Sequence, residues 1–121
     1  MSAFTSKTRE IVLTRDAHTC QWCGRHCYPG DYSLQHRRAR GMGGSKNPLA
    51  RSPGNAVVMC GSGTTGCHGY VEQHRLEGMQ RGFTVAQWQN PHDEPLQDWN
   101  DQWWTLTPDG RREPTEGPRE E

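Results

Sequence analysis

Two pairs of cysteines set the strongest constraint on how this 121-residue chain can fold. Two residues separate Cys20 from Cys23, a spacing at which both sulfurs can bind one ion. Six residues, three of them glycine, separate Cys60 from Cys67, and such a loop can still bring both sulfurs to that ion. The pattern predicts a closed, structural Zn²⁺ site with four thiolate ligands. The alternatives are that Cys27 replaces one of the four or that the cysteines are ordinary core residues.

The composition also favours a metal-supported fold. Only 31% of the residues are hydrophobic and the mean hydropathy is −1.04, so a single domain of this length buries a thin core. No apolar stretch is long enough to span a membrane, and the N-terminus does not resemble a signal peptide. We therefore expect a cytoplasmic protein without a membrane partner, where clustered cysteines are more often metal ligands than disulfides.

The charges of the chain are unevenly distributed although they sum to zero. Residues 1–89 contain eleven Lys and Arg against five Asp and Glu, whereas residues 90–121 contain three against nine. Residues 37–51 hold five basic residues and no acidic one. This run could bind a phosphate-containing partner, and an ordinary solvated face explains it equally well.

Hydrophobic periodicity and turn residues predict the order of the secondary structure. We expect a first helix capped by Thr5 or Ser6, then two strands separated by a long loop, and then a second helix that turns Val71, Leu76 and Met79 inward. The corresponding ranges are residues 6–17 and 67–81 for the helices, Tyr32–His36 and Asn55–Cys60 for the strands, and 41–54 for the loop.

The C-terminal quarter has a different character. Four of the five tryptophans lie between Trp88 and Trp104, and a Pro-Asp-Gly turn at 108–110 predicts a hairpin. A short strand at 82–85 and disorder over 113–121 are further expectations. We expect residues 1–89 to form the main domain and residues 90–121 an acidic, Trp-rich extension.

The order of the cysteine pairs, His36, Asn55 and His68 resembles the HNH endonuclease family, in particular its small phage-type members. The resemblance covers about residues 8–82, and the sequence His-Arg-Arg-Ala-Arg-Gly-Met-Gly-Gly at 36–44 is similar to what such proteins carry. It implies a small α+β fold in which a ββα-metal (His-Me finger) core is held by a four-cysteine zinc site. We expect this fold to carry an N-terminal helix and a C-terminal hairpin, and to be monomeric.

The resemblance implies three catalytic positions. His36 would be the general base that deprotonates the attacking water, a role that suits an imidazole with a pKa near 6.5. Asn55 would hold the long loop by hydrogen bonds to its backbone and so fix His36. His68 would bind one catalytic divalent cation, Mg²⁺, Mn²⁺, Ni²⁺ or Zn²⁺.

One position departs from the family. Many members have Asp or His directly before the catalytic histidine as a further metal ligand, and this chain has Gln35, whose neutral amide is a weaker ligand for a hard cation. Glu72 lies four residues after His68 and therefore on the same helical face. Gln35 and Glu72 are candidate additional ligands of the catalytic ion, and an ordinary solvated helix residue is the favoured alternative for Glu72.

Basic residues after His36 complete the expected site. Arg37, Arg38, Arg40 and Lys46 are candidate DNA-binding residues, because guanidinium and ammonium groups bind phosphate oxygens. Some of them could instead pair with the acidic extension.

These features lead to two functional hypotheses of different classes. The first is a metal-dependent endonuclease that acts on double-stranded DNA and leaves 5′-phosphate and 3′-hydroxyl ends. The alternative is a non-catalytic zinc module that binds nucleic acid or protein. Resemblance to phage proteins also suggests the host cytoplasm as the location and the DNA-packaging terminase as a candidate partner.

Overall fold

The computed structural model describes residues 4–27, 30–39 and 48–118, and these residues form a small α+β fold. Within these ranges there are three α-helices, a two-stranded sheet and a three-stranded sheet, both antiparallel. In chain order the elements are α1 (Ser6–Arg15), β1 (Tyr32–His36), β2 (Ala56–Cys60), α2 (Gly66–Gln73), α3 (Arg75–Gln80), β3 (Leu96–Gln97), β4 (Trp103–Leu106) and β5 (Arg112–Pro114). The predicted α+β class is confirmed.

Helix α1 is fixed to the outer edge of β2. Thr5 caps the helix by accepting a hydrogen bond from the Thr8 amide at 3.1 Å, one of the two caps the sequence predicts. At its other end the guanidinium of Arg15 donates to both carboxylate oxygens of Asp16, and Asp16 also accepts from the Val58 amide at 3.0 Å. Both side chains of the Arg15–Asp16 pair are 2% exposed, so this ion pair is part of the interior.

Strands β1 and β2 form the centre of the fold. They pair in antiparallel register, with Leu34 opposite Val58 and His36 opposite Ala56, and every residue of β2 is buried. The predicted bounds of β1 are confirmed, while Asn55 belongs to a short 3₁₀ turn directly before β2. The loop prediction for 41–54 is tested only after residue 47, where two 3₁₀ turns, Pro48–Arg51 and Pro53–Asn55, replace irregular chain.

The predicted helix over 67–81 is interrupted at His74, which has φ −126° and ψ 64°. Val71 on α2 is fully buried as predicted, because α2 packs on β2. The prediction for α3 is wrong: Leu76 is 78% exposed and Met79 is 47% exposed. Because the backbone of His74 is not helical, the 3.6-residue periodicity of α2 does not continue into α3.

The C-terminal quarter packs on the same core rather than forming a separate unit. Leu96 and Leu106 of the β3–β4–β5 sheet lie in the cluster of buried apolar residues that contains β2 and Val71. The hairpin prediction is confirmed, but disorder over 113–121 is wrong for its first part, where β5 pairs with β4. The predicted strand at 82–85 is instead a single bridge between Val85 and Arg38.

No helix in the described ranges is long and apolar enough to cross a membrane.

Candidate metal centres and the adjoining pocket

Four cysteine sulfurs converge at one end of the β1–β2 sheet. The Sγ atoms of Cys20, Cys23, Cys60 and Cys67 all lie within 4.8 Å of one another, and the five cysteines of the chain form no disulfide. Tetrahedral zinc–thiolate geometry places the sulfurs about 3.8 Å apart, so a small contraction around an ion completes the site. This cluster can bind a structural metal such as Zn²⁺. Its four cysteines are the ligand set that the sequence predicts.

The backbone around the cluster explains why these four sulfurs meet. Cys60 ends β2 and Cys67 lies in the first turn of α2, and the loop between them begins and ends with glycines at φ 85° and 62°. Side chains are disfavoured at such angles, and a Cβ on Gly61 would lie 2.2 Å from the carbonyl oxygen of Thr65. The tight turn brings the Cys67 amide to 3.5 Å from the Cys60 sulfur.

The thiols need a cation to ionise together. Burial raises the pKa of Cys20 to about 11 and also raises that of Cys67. At Cys60 burial is the largest single effect and raises the pKa, but the hydrogen bonds from Cys67, Cys20 and Cys23 together outweigh it, so the pKa of this thiol is lowered. Since burial holds the protons on Cys20 and Cys67, a divalent cation must displace them, and its binding should depend on pH.

Cys27 lies outside this cluster. Its side chain is 6% exposed and belongs to the hydrophobic core, and burial raises the pKa of its thiol. Among the alternatives that the sequence leaves open, the geometry favours Cys20, Cys23, Cys60 and Cys67 as the ligand set.

A pocket of about 200 Å³ opens where β1 ends, next to the first turns of α2. His36 and His68, which come from separate elements, both line this pocket. The remaining lining residues are Leu34, Gln35, Arg37, Ala39, Glu72, Arg75 and Thr84. The fold therefore brings together the predicted base and the three predicted ligands of the catalytic ion, which are His36, Gln35, His68 and Glu72.

His68 and Glu72 form a pair of candidate ligands on one face of α2. Nε2 of His68 lies 3.7 Å from Oε2 of Glu72, which exceeds a hydrogen bond and leaves room for a shared cation. Burial of the imidazole lowers the pKa of His68, and the Glu72 carboxylate offsets this in part, so the ring is neutral at pH 7 and able to bind a metal.

Gln35 contributes a buried oxygen to the same region. Its Nε2 donates to the carbonyl of Phe83 at 2.5 Å, and because a carbonyl can only accept, this bond fixes the orientation of the amide. Oε1 is buried, and in the described part of the chain it has no hydrogen-bond partner. A buried oxygen without a donor is costly unless a cation or water satisfies it. Amide and carboxylate oxygens and a neutral imidazole are donors of the kind that divalent cations accept, so Gln35, His68 and Glu72 are the candidate ligands that line this pocket.

Asn55 holds the chain on both sides of residues 40–47. Its Oδ1 accepts from the Arg38 amide at 2.7 Å, and its Nδ2 donates to the carbonyls of Arg38 and Ala50 at 3.1 and 3.2 Å. The side chain is fully buried, so these bonds are shielded from water. They are the side-chain-to-backbone bonds that we expected for Asn55. His36, which ends β1, is also fixed by its ring, which stacks on Phe4 at 4.2 Å between centroids.

Arg37 does not present its guanidinium to the surface, which corrects its prediction as a DNA-binding residue. It is 1% exposed and donates four hydrogen bonds of 2.6–3.1 Å to main-chain carbonyls. Burial lowers the pKa of Arg37 to about 9, so it remains charged at pH 7. The acceptors are the carbonyls of Gly54, Gly82, Pro91 and Glu94.

Of the other three predicted DNA-binding residues, only Arg38 lies among the residues that the structure describes. Arg38 is half-buried, and its Nε donates to the Gln87 carbonyl at 2.7 Å. Arg40 and Lys46 lie outside the described residues. Arg75, which is exposed and lines the pocket, was missed, because no proline or glycine marks the break at His74 that precedes it.

Ser33 is a second missed residue, and a signal for it was present in the sequence. Alternation along β1 puts Ser33 on the same face as Gln35, two residues later. Its hydroxyl lies 2.6 Å from Nδ1 of His68 and donates to the Gly61 carbonyl at 2.7 Å.

No family model, no curated protein and no solved structure matches this chain.

Proposed function

We propose that this protein is a metal-dependent endonuclease of HNH type that hydrolyses phosphodiester bonds in double-stranded DNA. The observation that carries the proposal is that His36 and His68 line one pocket together with Gln35 and Glu72. A candidate base and a candidate cation site thus line the same cavity of about 200 Å³. In this interpretation, β1, β2 and α2 correspond to the ββα-metal core.

His36 acts first in the proposed reaction. Its imidazole takes a proton from water, the water oxygen attacks phosphorus, and the bond from phosphorus to the 3′ oxygen breaks. The 3′ oxygen leaves with a proton from solvent, which gives 5′-phosphate and 3′-hydroxyl ends. Stacking on Phe4 and the Asn55 bonds around the adjoining backbone keep the imidazole in one place.

Gln35, His68 and Glu72 would hold the catalytic divalent cation. A cation bound there supplies positive charge for the phosphate and the leaving oxygen, where negative charge develops. Among the described residues that line the pocket, Glu72 is the only one with a carboxylate. Arg75 adds a positive charge to the pocket lining. Arg75 thus takes the phosphate-binding role first expected of Arg37.

A plasmid-nicking assay tests the proposal. Zinc-loaded protein is incubated with supercoiled DNA and Mg²⁺, Mn²⁺ or Ni²⁺, and His36→Ala is compared with His74→Ala, whose side chain lies outside the pocket. We expect nicking by the wild type and by His74→Ala, and a loss of about 10²–10⁴-fold in His36→Ala, the usual contribution of a general base. Equal nicking by both variants would refute the assignment of His36.

The second functional class, a zinc module without catalysis, predicts a different outcome. The neutral Gln35 in the place of a carboxylate favours it. Such a protein would bind DNA or a protein partner, and it would not nick the plasmid in the presence of Mg²⁺, Mn²⁺ or Ni²⁺. For such a module the wild type and His36→Ala should give the same plasmid pattern with each ion, whereas a metal-dependent nuclease should lose nicking in His36→Ala.

A further inference from the structure

The hydroxyl of Ser33 connects the backbone to one ring nitrogen of His68. Ser33 Oγ lies 2.7 Å from the Gly61 carbonyl oxygen and 2.6 Å from Nδ1 of His68. A hydroxyl has one proton, and a carbonyl oxygen can only accept. The Ser33 proton therefore points to Gly61, and Ser33 must accept a proton from His68.

We propose that Ser33 is a positioning residue that holds His68 as the Nδ1–H tautomer, with the unprotonated Nε2 directed at the cation site. This inference deepens the proposed function and rests on it, because it concerns the ligand of the same divalent cation. Histidine ligands usually donate their other ring N–H to an oxygen acceptor, which orients the ring and raises the basicity of the ligating nitrogen.

The surroundings of His68 are consistent with this assignment. Nε2 faces Glu72 Oε2 at 3.7 Å, too far for a hydrogen bond that would favour a proton on Nε2. Only 12% of the side chain is exposed, so water cannot easily replace the serine. Gly61 belongs to the turn between Cys60 and Cys67, so its carbonyl is fixed by the same backbone that forms the cysteine cluster.

The tautomer can be measured without DNA and without the second cation. We would record long-range ¹H–¹⁵N correlations of the full-length chain, loaded with one equivalent of Zn²⁺, at about pH 8, where imidazoles are neutral. We expect Nε2 of His68 in the chemical-shift range of an unprotonated nitrogen and Nδ1 in that of a protonated one. His74 is an internal control, because its Nδ1 lies 2.8 Å from the Tyr70 carbonyl and must also carry the proton.

Two variants separate positioning from packing. Ser33→Ala should populate the Nε2–H form of His68 and weaken Mn²⁺ binding about 10–100-fold by titration calorimetry. Ser33→Thr keeps the hydroxyl and should restore both the tautomer and the affinity, and His74 should not change in either variant.

An Nε2–H tautomer of His68 in the wild type would overturn the proposal, and so would a Ser33→Ala variant with unchanged tautomer and Mn²⁺ affinity. The wild-type spectrum decides even if Ser33→Ala does not fold. The outcome is also independent of nuclease activity: the expected tautomer in a protein that never nicks DNA would reject the proposed function and leave the role of Ser33 intact.

Discussion

Replacing Arg37 by Met should destabilise the protein strongly without a specific effect on DNA binding. The guanidinium donates to the carbonyls of Gly54, Gly82, Pro91 and Glu94. A hydrogen bond to a charged group contributes about 1.5–3 kcal/mol, so four of them contribute roughly 6–12 kcal/mol. Burial of the charge opposes this by several kcal/mol, since no carboxylate is among its hydrogen-bond partners.

The net loss expected for Arg37→Met is about 3–5 kcal/mol, because removing one side of a buried polar network leaves its partners unsatisfied. Domains of this kind have a total stability of about 5–15 kcal/mol, so the variant should lose a large fraction of its free energy of unfolding and, at the lower end of that range, almost all of it. Methionine keeps most of the volume of the arginine stem, which limits the contribution of an empty cavity to the measured loss.

Urea unfolding at a fixed Zn²⁺ concentration measures this loss, with Arg38→Met as the matched control. Arg38 is half-buried and donates through Nε to one carbonyl, so its replacement should cost below about 1 kcal/mol. The reasoning is refuted if Arg37→Met unfolds within about 1 kcal/mol of the wild type while its affinity for DNA falls. That result would return Arg37 to the phosphate-binding role.

Three further outcomes are expected. Removing Zn²⁺ with a strong chelator should abolish the near-UV circular dichroism and make the four clustered cysteines reactive to a thiol reagent; unchanged spectra in zinc-free protein would contradict a structural site. Asn55→Ala should lower the free energy of unfolding by about 2–3 kcal/mol in urea, because it leaves buried backbone groups unpaired, whereas the exposed Asn100→Ala should have almost no effect. Burial lowers the pKa of His68 and of His92, and below about pH 6.5 the unfolded chain therefore binds protons that the folded chain does not. The contribution of these two histidines to stability should be fully present above that pH and fall as the pH decreases toward 5, and replacing both by Gln should reduce the fall of the urea midpoints over this interval.

Local patterns in the sequence were sufficient for the elements next to the cysteines. The bounds of β1, the Thr5 cap and the two cysteine pairs each depend on residues close together in the chain, and each could be predicted. His36 and His68 could be placed in one pocket only through the family resemblance, because nothing local in the chain indicates that β1 ends beside α2.

What could not be predicted depends on contacts between distant segments. Arg37 is followed by further basic residues, and a basic run normally indicates exposure. Its four acceptors come from residues 17 to 57 positions further along the chain, and no property of residues 37–40 indicates them. The exposure of Leu76 has a similar origin, since it depends on the break at His74, where no proline or glycine marks the end of α2.

The cysteine cluster and the pocket share their backbone, and this makes the structural ion relevant to the chemistry of the site. Cys67 directly precedes His68, and Cys60 directly precedes Gly61, whose carbonyl orients Ser33 and through it His68. An ion bound to the cysteines therefore holds the backbone on both sides of His68. It fixes Cys67, which precedes His68 in the chain, and Gly61, whose carbonyl accepts the Ser33 proton. Loss of that ion should disturb His68 before it disturbs α1, which is attached to β2 by the buried Asp16 carboxylate. Titrating a chelator while following the His68 and Val12 NMR signals would show this order, and simultaneous loss of both would mean that the fold responds as one cooperative unit.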